Sequence, residues 1–219
     1  MRKLTLVIGN KNYSSWSLRP WLVLRQAGVD FDEIRVPLYR PDSAAALAPL
    51  SPSGLVPVLH DGDLKVWDSL AICEYLNERF PDCRLWPDDM AVRAIARAVS
   101  AEMHSGFIAL RSAMSMNLRG YYPDEGRTPE CVSDIDRILA IWTECRQRYG
   151  VGGDFLFGRF SIADAMYAPV VLRFQTYAVP LEGSARAYAD TLLALPALQE
   201  WIEASQGETE HVEMFDIYD

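Results

Sequence analysis

The alternation of apolar and polar positions divides the chain in two. Residues 3–8, KLTLVI, form a short apolar run that predicts a strand buried on both faces. From about Trp16 to Ala27, Leu18, Trp21, Leu22 and Leu24 fall on helical spacing, and Gly28 follows as a stop. Residues 31–38, FDEIRVPL, alternate enough for a second strand, so the opening is a βαβ unit whose crossover makes its strands parallel. A short helix is expected over residues 41–50. The Asp61-Gly62 pair between VPVLH and LKVW then signals a hairpin of two antiparallel strands. Ile72, Leu76 and Phe80 recur at four-residue spacing and predict a helix after it.

Residues 81–89, PDCRLWPDD, carry two prolines, and strand signals stop there. A single long helix is expected from Ala91 to Leu118, with Ile95, Val99, Met103, Phe107, Leu110 and Met114 facing inward. Further helices are expected over 131–149, with Ile135, Leu139, Trp142 and Cys145 inward, over 161–177, and over 185–205, the last broken at Pro196. The pattern predicts an α/β domain over residues 1–80, a linker over 81–89 and an all-helical domain over 90–219.

Composition narrows the function classes. At 219 residues and 50% hydrophobic, the chain can bury one substantial core or two modest ones. A net charge of −9 without a basic stripe argues against nucleic acid as a partner. The apolar stretch near the N-terminus is too short for a signal peptide or a membrane span, so a cytoplasmic protein is expected. Cys73, Cys83, Cys131 and Cys145 show no CxxC spacing and no histidine at ligand spacing. They read as reduced thiols, with no metal site.

Three stretches carry candidate chemistry. In GNKNYSSWSLRPWL, residues 9–22, the first strand hands over to a helix through Ser14, Ser15 and Ser17. One of these hydroxyls is expected to cap the helix. A serine there can also donate a hydrogen bond to a bound sulfur anion, which the helix start favours. In SPSGLVPVL, Pro57 is either an ordinary trans proline at a strand entrance or a cis proline; in the second case Val56 would offer its backbone to an extended peptide. In WDSLAICEYL, Ser69 reads as a helix cap, and Asp68 with Ser69 can hold an amino-acid head group.

The order of these elements, with P-x-G-x-V-P-x-L, the Asp-Gly hairpin and D-S-x-A-I-x-x-Y-L inside eighty residues, resembles the cytosolic glutathione transferase family. SSWSLR is similar to the zeta-type serine motif, with a tau-like distance from Ser14 to Arg19. FSIADAMYAPVV resembles the family's buried capping box, with Ser161 and Asp164 in S-x-x-D spacing. The resemblance spans nearly the whole chain. It implies a thioredoxin-like N-terminal domain with a mixed four-stranded sheet, and an all-α C-terminal domain. It implies glutathione as co-substrate, its thiolate held by Ser14, with Ser15 the alternative donor under a theta-like spacing. Trp16, Leu55, Val56, Pro57, Asp68 and Ser69 become the glutathione-binding residues. Leu55 stands where many relatives carry a lysine for the glycine carboxylate, a contact that Lys11 or Arg40 would have to supply.

The helical domain would supply the pocket for a small, partly apolar electrophile. His104 and Arg111, seven residues apart, would share one face of the long helix, either as a solvated or capping face or as a floor suited to an anionic or oxygenated substrate. The resemblance implies a homodimeric detoxifying transferase. A glutathione-dependent isomerase or peroxidase, or a non-catalytic regulatory protein of the same fold, are the competing readings.

Overall fold

The computed structural model describes residues 3–218. Strand β1 (Leu4–Ile8), helix α1 (Ser15–Gln26) and strand β2 (Phe31–Arg35) form the βαβ unit, with Leu4 opposite Phe31 in a parallel ladder. A five-residue helix α2 (Ser43–Leu47) leads to β3 (Val58–Asp61) and β4 (Leu64–Trp67), which pair antiparallel. Gly62 supplies the positive φ of 63° their turn needs. Strand order is β2-β1-β3-β4, a mixed sheet, and α3 (Ser69–Arg79) packs back against β4 and α1. The helical domain contains α4 (Met90–Ser105), α5 (Ile108–Ala113), α6 (Pro129–Tyr149), α7 (Ile162–Thr176), α8 (Gly183–Leu193) and α9 (Pro196–Gln206).

Helix α1 joins the domains. Leu18, Trp21, Leu22, Val23 and Leu24 are all fully buried, because α3 and the sheet cover one side of the helix and α7 and α9 cover the other. The Trp21 indole N–H donates to Glu33 at 2.8 Å, and its ring meets Trp201 edge-on at 5.1 Å. The Lys11 ammonium lies over both rings and pairs with Glu33 at 2.9 Å. Burying these aromatic faces fixes α1 between the two domains and therefore fixes where its first turn points.

The capping box stands where S-x-x-D predicts it. Asp164 accepts from the Ser161 N–H at 2.8 Å, the Ser161 hydroxyl at 3.0 Å and the Leu156 N–H at 3.0 Å. Burial pushes its carboxyl up to about 6, against the pull of those donors.

The expected long helix over 91–118 is two helices. Gly106 is extended (φ −105°, ψ −164°) and Phe107 is left-handed at φ 58°, so the axis breaks between α4 and α5. A side chain on Gly106 would meet the Glu102 carbonyl oxygen at 2.8 Å, which is why glycine stands at the break. Periodicity conceals it, because Met103, Phe107, Leu110 and Met114 stay buried on both sides of the interruption. Ile95, expected inward, is 40% exposed.

Candidate functional site

The first turn of α1 opens into a cavity of about 910 Å³ between the domains. Ser14, Ser15, Trp16, Leu55, Val56, Pro57, Asp68 and Ser69 line its α/β side, and Arg111, Ser115 and Arg173 line it from the helical domain. The structure thus brings together every glutathione-site residue read from the sequence. The Val56–Pro57 peptide is cis.

The serines depart from the capping expectation. Ser14 occupies the N-cap position of α1, yet its side chain makes no capping hydrogen bond. It donates instead to Ser17 Oγ at 2.7 Å, and Ser17 in turn accepts the Gly9 N–H at 3.1 Å. Ser15 Oγ accepts a long 3.4 Å hydrogen bond from the Arg173 guanidinium. No side chain caps α1; the Ser15 N–H donates to the Tyr13 carbonyl at 3.0 Å, and the Trp16 and Ser17 N–H groups of its first turn are open to a bound anion.

Ser69 is likewise not a cap. Asp68, at φ 72°, is the N-cap of α3 and accepts the N–H groups of Leu70 at 2.9 Å and Ala71 at 3.1 Å. A carboxylate reaching two free N–H groups displaces the hydroxyl from that task. The buried Ser69 hydroxyl has no hydrogen-bond partner among the described residues.

His104 and Arg111 do not share a helix face. The Arg111 guanidinium turns back across the α4–α5 break and donates to the carbonyls of Gly106 at 2.9 Å, His104 at 3.3 Å and Met103, closing the open end of α4. It also reaches the cavity. His104 lies behind the wall, its Nε2 3.0 Å from Asp68 Oδ2. Its ring meets Trp16 edge-on at 5.1 Å, so Asp68 and Trp16 are both tied to the helical domain through it.

Positive charge accumulates around Trp16. The guanidinium carbons of Arg19 and Arg111 lie 4.4 and 4.9 Å from the centre of its ring. Arg19 is fully buried, and none of its guanidinium nitrogens has a hydrogen-bond partner among the described residues. Burial first, then the charges of Arg111 and Arg173, lowers it to about 9. Arg173 is lowered to about 10 by burial and by Arg111. Both remain cations at neutral pH. None of the three forms a salt bridge among the described residues; Asp68 and Asp134 act on Arg19 and Arg111 only at longer range.

Burial also lowers His104 below its ordinary 6.5; Asp68 opposes this, and the charges of Arg19 and Arg111 add to it. Its folded form therefore favours the neutral ring. The stability this contributes is present above pH 6.5 and is lost as pH falls through the lowered value. Urea unfolding at pH 5 and pH 7.5 should show wild type gaining stability relative to His104→Gln as pH rises. A difference independent of pH contradicts this.

Neither Lys11 nor Arg40 lines the cavity. Lys11 is taken by Glu33, and Arg40 pairs with Asp42 at 3.5 Å. Residues that the sequence reading missed are Tyr13, Tyr39, Ser115, Arg173 and Phe215, all of which line the cavity. Only Tyr13, adjacent to the serines, stood beside a recognisable motif. Among the described residues no group of three or more histidine, cysteine or carboxylate side chains is placed to hold a metal ion.

A thioredoxin-like sheet, a cis-proline loop facing a serine-bearing helix start, and a helical domain closing the cleft define a two-domain glutathione-binding architecture. The family described as "Glutathione S-transferase, N-terminal domain" matches residues 13–79, and "Glutathione S-transferase, C-terminal domain" matches residues 125–204. The chain belongs to the glutathione S-transferase family and is an enzyme of it. Maleylacetoacetate isomerase of Pseudomonas aeruginosa is 30% identical over 208 residues, covering 91% of this chain and 95% of that protein. Glutathione S-transferase Z2 of Arabidopsis thaliana is 27% identical over 212 residues, covering 91% and 93%. The fold is shared with a glutathione transferase homolog from Burkholderia with bound glutathione, at TM-score 0.71 and 22% identity, covering 94% of this chain and 100% of that one.

Proposed function

We propose that this enzyme joins the glutathione thiolate to small electrophiles bearing an anionic group, with Ser14 as the hydrogen-bond donor to sulfur. The observation that carries this reading is the cavity itself: an uncapped serine-bearing helix start and two guanidiniums, Arg111 and Arg173, line the same space. A cysteine thiol titrates near 8.5, so a bound thiol must be shifted by about two units to be mostly ionised at neutral pH. The Ser14 hydroxyl turns from Ser17 to the sulfur, and together with the N-terminal N–H groups of α1 it favours the anion over the thiol. The thiol proton leaves to solvent. Asp68 and Ser69 hold the γ-glutamyl end, and Val56 pairs with the cysteinyl backbone. In substitution, the sulfur–carbon bond forms as the leaving group departs with its electron pair.

A second outcome on the same site is isomerisation, favoured by the two guanidiniums and by the Pseudomonas relative. The thiolate adds to a cis double bond conjugated with a carbonyl, the carbons rotate about the resulting single bond, and elimination returns the thiolate and the trans product. Glutathione is then not consumed. The enzyme would act in the cytoplasm, in keeping with four unpaired cysteines and with the lack, among the described residues, of a helix long and apolar enough to cross a membrane. A homodimer is supported by apolar side chains left exposed on β4, Leu64 and Trp67, and on α4, Met90 and Ile95.

Product analysis after mixing with glutathione and either a chlorinated nitroaromatic or a cis-enedione carboxylate separates these outcomes. Conjugation consumes one glutathione per product, whereas isomerisation consumes none. Absence of glutathione binding in calorimetry overturns both.

A further inference from the structure

The segment GNKN, residues 9–12, precedes the site serines, and nothing in the proposed reaction uses it. It forms a tight turn. The Tyr13 and Ser14 N–H groups donate to the Asn10 carbonyl at 3.2 and 2.8 Å, and Asn10 Oδ1 accepts the Leu38 N–H at 2.8 Å. Those bonds tie the base of the turn to the α/β domain. Its apex, Lys11 and Asn12, is buried, Asn12 completely, so the backbone groups there need partners.

The partners come from the helical domain and the segment after α9. Glu208, whose side chain is 6% exposed, accepts the Lys11 N–H on one carboxylate oxygen at 2.7 Å and the Asn12 N–H on the other at 3.0 Å. The Lys11 carbonyl accepts the Trp201 indole N–H at 3.0 Å. Asn12 adds its side chain: Nδ2 donates to Asn117 Oδ1 at 2.9 Å, while Oδ1 accepts the N–H groups of Leu118 at 2.8 Å and Arg119 at 3.0 Å. Arg35 lies 3.3 Å from the Glu208 carboxylate but has Glu210 nearer, at 2.8 Å, so it does not depend on Glu208 for a counter-charge.

A carboxylate with one backbone N–H on each oxygen is a charge-assisted grip at two points, and it closes just ahead of Ser14. The Ser14 hydroxyl caps nothing and donates only to Ser17 Oγ, so its place depends on the turn that carries it. We propose that Glu208 is a positioning residue for the reaction, holding the Lys11–Asn12 apex so that the Ser14 hydroxyl stands within reach of the bound sulfur. The inference rests on the proposed role of Ser14 and deepens it. A donor displaced by about an ångström loses much of its worth to a localised charge, so the grip should show in the acidity of the bound thiol and in kcat, and little in glutathione binding.

Glu208→Gln tests this. The amide is nearly isosteric but offers one acceptor where the carboxylate offers two, so one of the two N–H groups meets an NH2 group instead. At pH 6.5 the variant should lower kcat for conjugation about tenfold and leave the Kd of glutathione within about twofold. The bound thiolate, read by its absorbance, should titrate about half a unit to one unit higher. Amide hydrogen exchange in residues 9–13 should quicken about tenfold. In a Ser14→Ala background the same substitution should cost less than about twofold in kcat, because a grip acting through the hydroxyl then has nothing to position. Glu208→Asp keeps the charge and both acceptors on a shorter stem, should show the same changes at smaller size, and carries the test if the glutamine variant does not fold. Wild-type acidity of the bound thiol in the folded variant, or an equal kcat loss with and without the Ser14 hydroxyl, overturns the positioning role. Unchanged turnover in Ser14→Ala is a failure of the proposed function itself, whereas a slow Ser14→Ala enzyme beside an unaffected Glu208→Gln enzyme is a failure of this inference alone.

Discussion

Replacing Ser14 with alanine should lower kcat for conjugation about ten- to hundredfold at pH 6.5 while the Kd of glutathione stays within about twofold. The size follows from what the hydroxyl does for a charge. A hydrogen bond to an ionised group is worth about 1.5–3 kcal/mol, and one pKa unit is about 1.4 kcal/mol, so the bound thiol should rise by one to two units. Binding should hardly change, because at this pH glutathione can still enter as the thiol and, in the proposed site, its peptide is gripped elsewhere, by Val56, Asp68 and Ser69. The pH profile carries the argument. The loss should shrink as pH approaches 9, where the thiol ionises without help, and direct absorbance of the bound thiolate should titrate at higher pH in the variant. Ser15→Ala is the control, because the Ser15 oxygen already accepts from Arg173 at 3.4 Å and the residue lies inside α1 rather than at its cap. Unchanged turnover in Ser14→Ala together with a large loss in Ser15→Ala assigns the sulfur to Ser15.

What the sequence disclosed of this site was what short-range rules govern. Ser14 and Ser15 could be found because they lie at a strand-to-helix junction, Asp68 and Ser69 because they start an apolar-patterned helix, and Asp164 because a capping box needs only four residues. Within those stretches the detail was decided by competition among neighbours. Asp68 took the cap that Ser69 was expected to fill, and the Ser14 hydroxyl donates to Ser17 Oγ and accepts no helix N–H. The break at Gly106 was hidden because α5 resumes burial on the same period. Tyr13, Tyr39 and Phe215, which line the cavity, were hidden more deeply: their rings meet only after the chain has folded back on itself. The tail that delivers Phe215, GETEHVEMFDIYD, has no helical or strand period to announce it. Its order comes from donors on other segments, Arg119 and Asn117 among them.

Arg173 shows the same limit, and it carries the other large expected effect. It lies in α7, a helix buried almost all round, where a guanidinium is costly unless something at its end uses it. The group donates to the Met114 carbonyl at 2.8 Å and the Pro169 carbonyl at 3.3 Å, and no carboxylate pairs with it among the described residues. In the function proposed above, a carboxylate on the electrophile is its ion-pair partner. Arg173→Met should therefore lower kcat/KM for a carboxylate-bearing electrophile about a hundredfold, the scale of losing one member of a desolvated charge pair. For a neutral electrophile the loss should stay under about tenfold, because only the electrostatic support of Ser15 and the thiolate is removed. Methionine fills much of the same space, and removing a cation that burial already disfavours offsets part of the lost hydrogen bonding, so the variant should fold. Arg173→Lys should recover part of the carboxylate substrate's rate but not all of it, since an ammonium cannot meet a carboxylate with two parallel N–H groups. The kinetics of both electrophiles with both variants check this. Equal losses for the charged and neutral substrates would make Arg173 a structural strut between α7 and the Met114 turn.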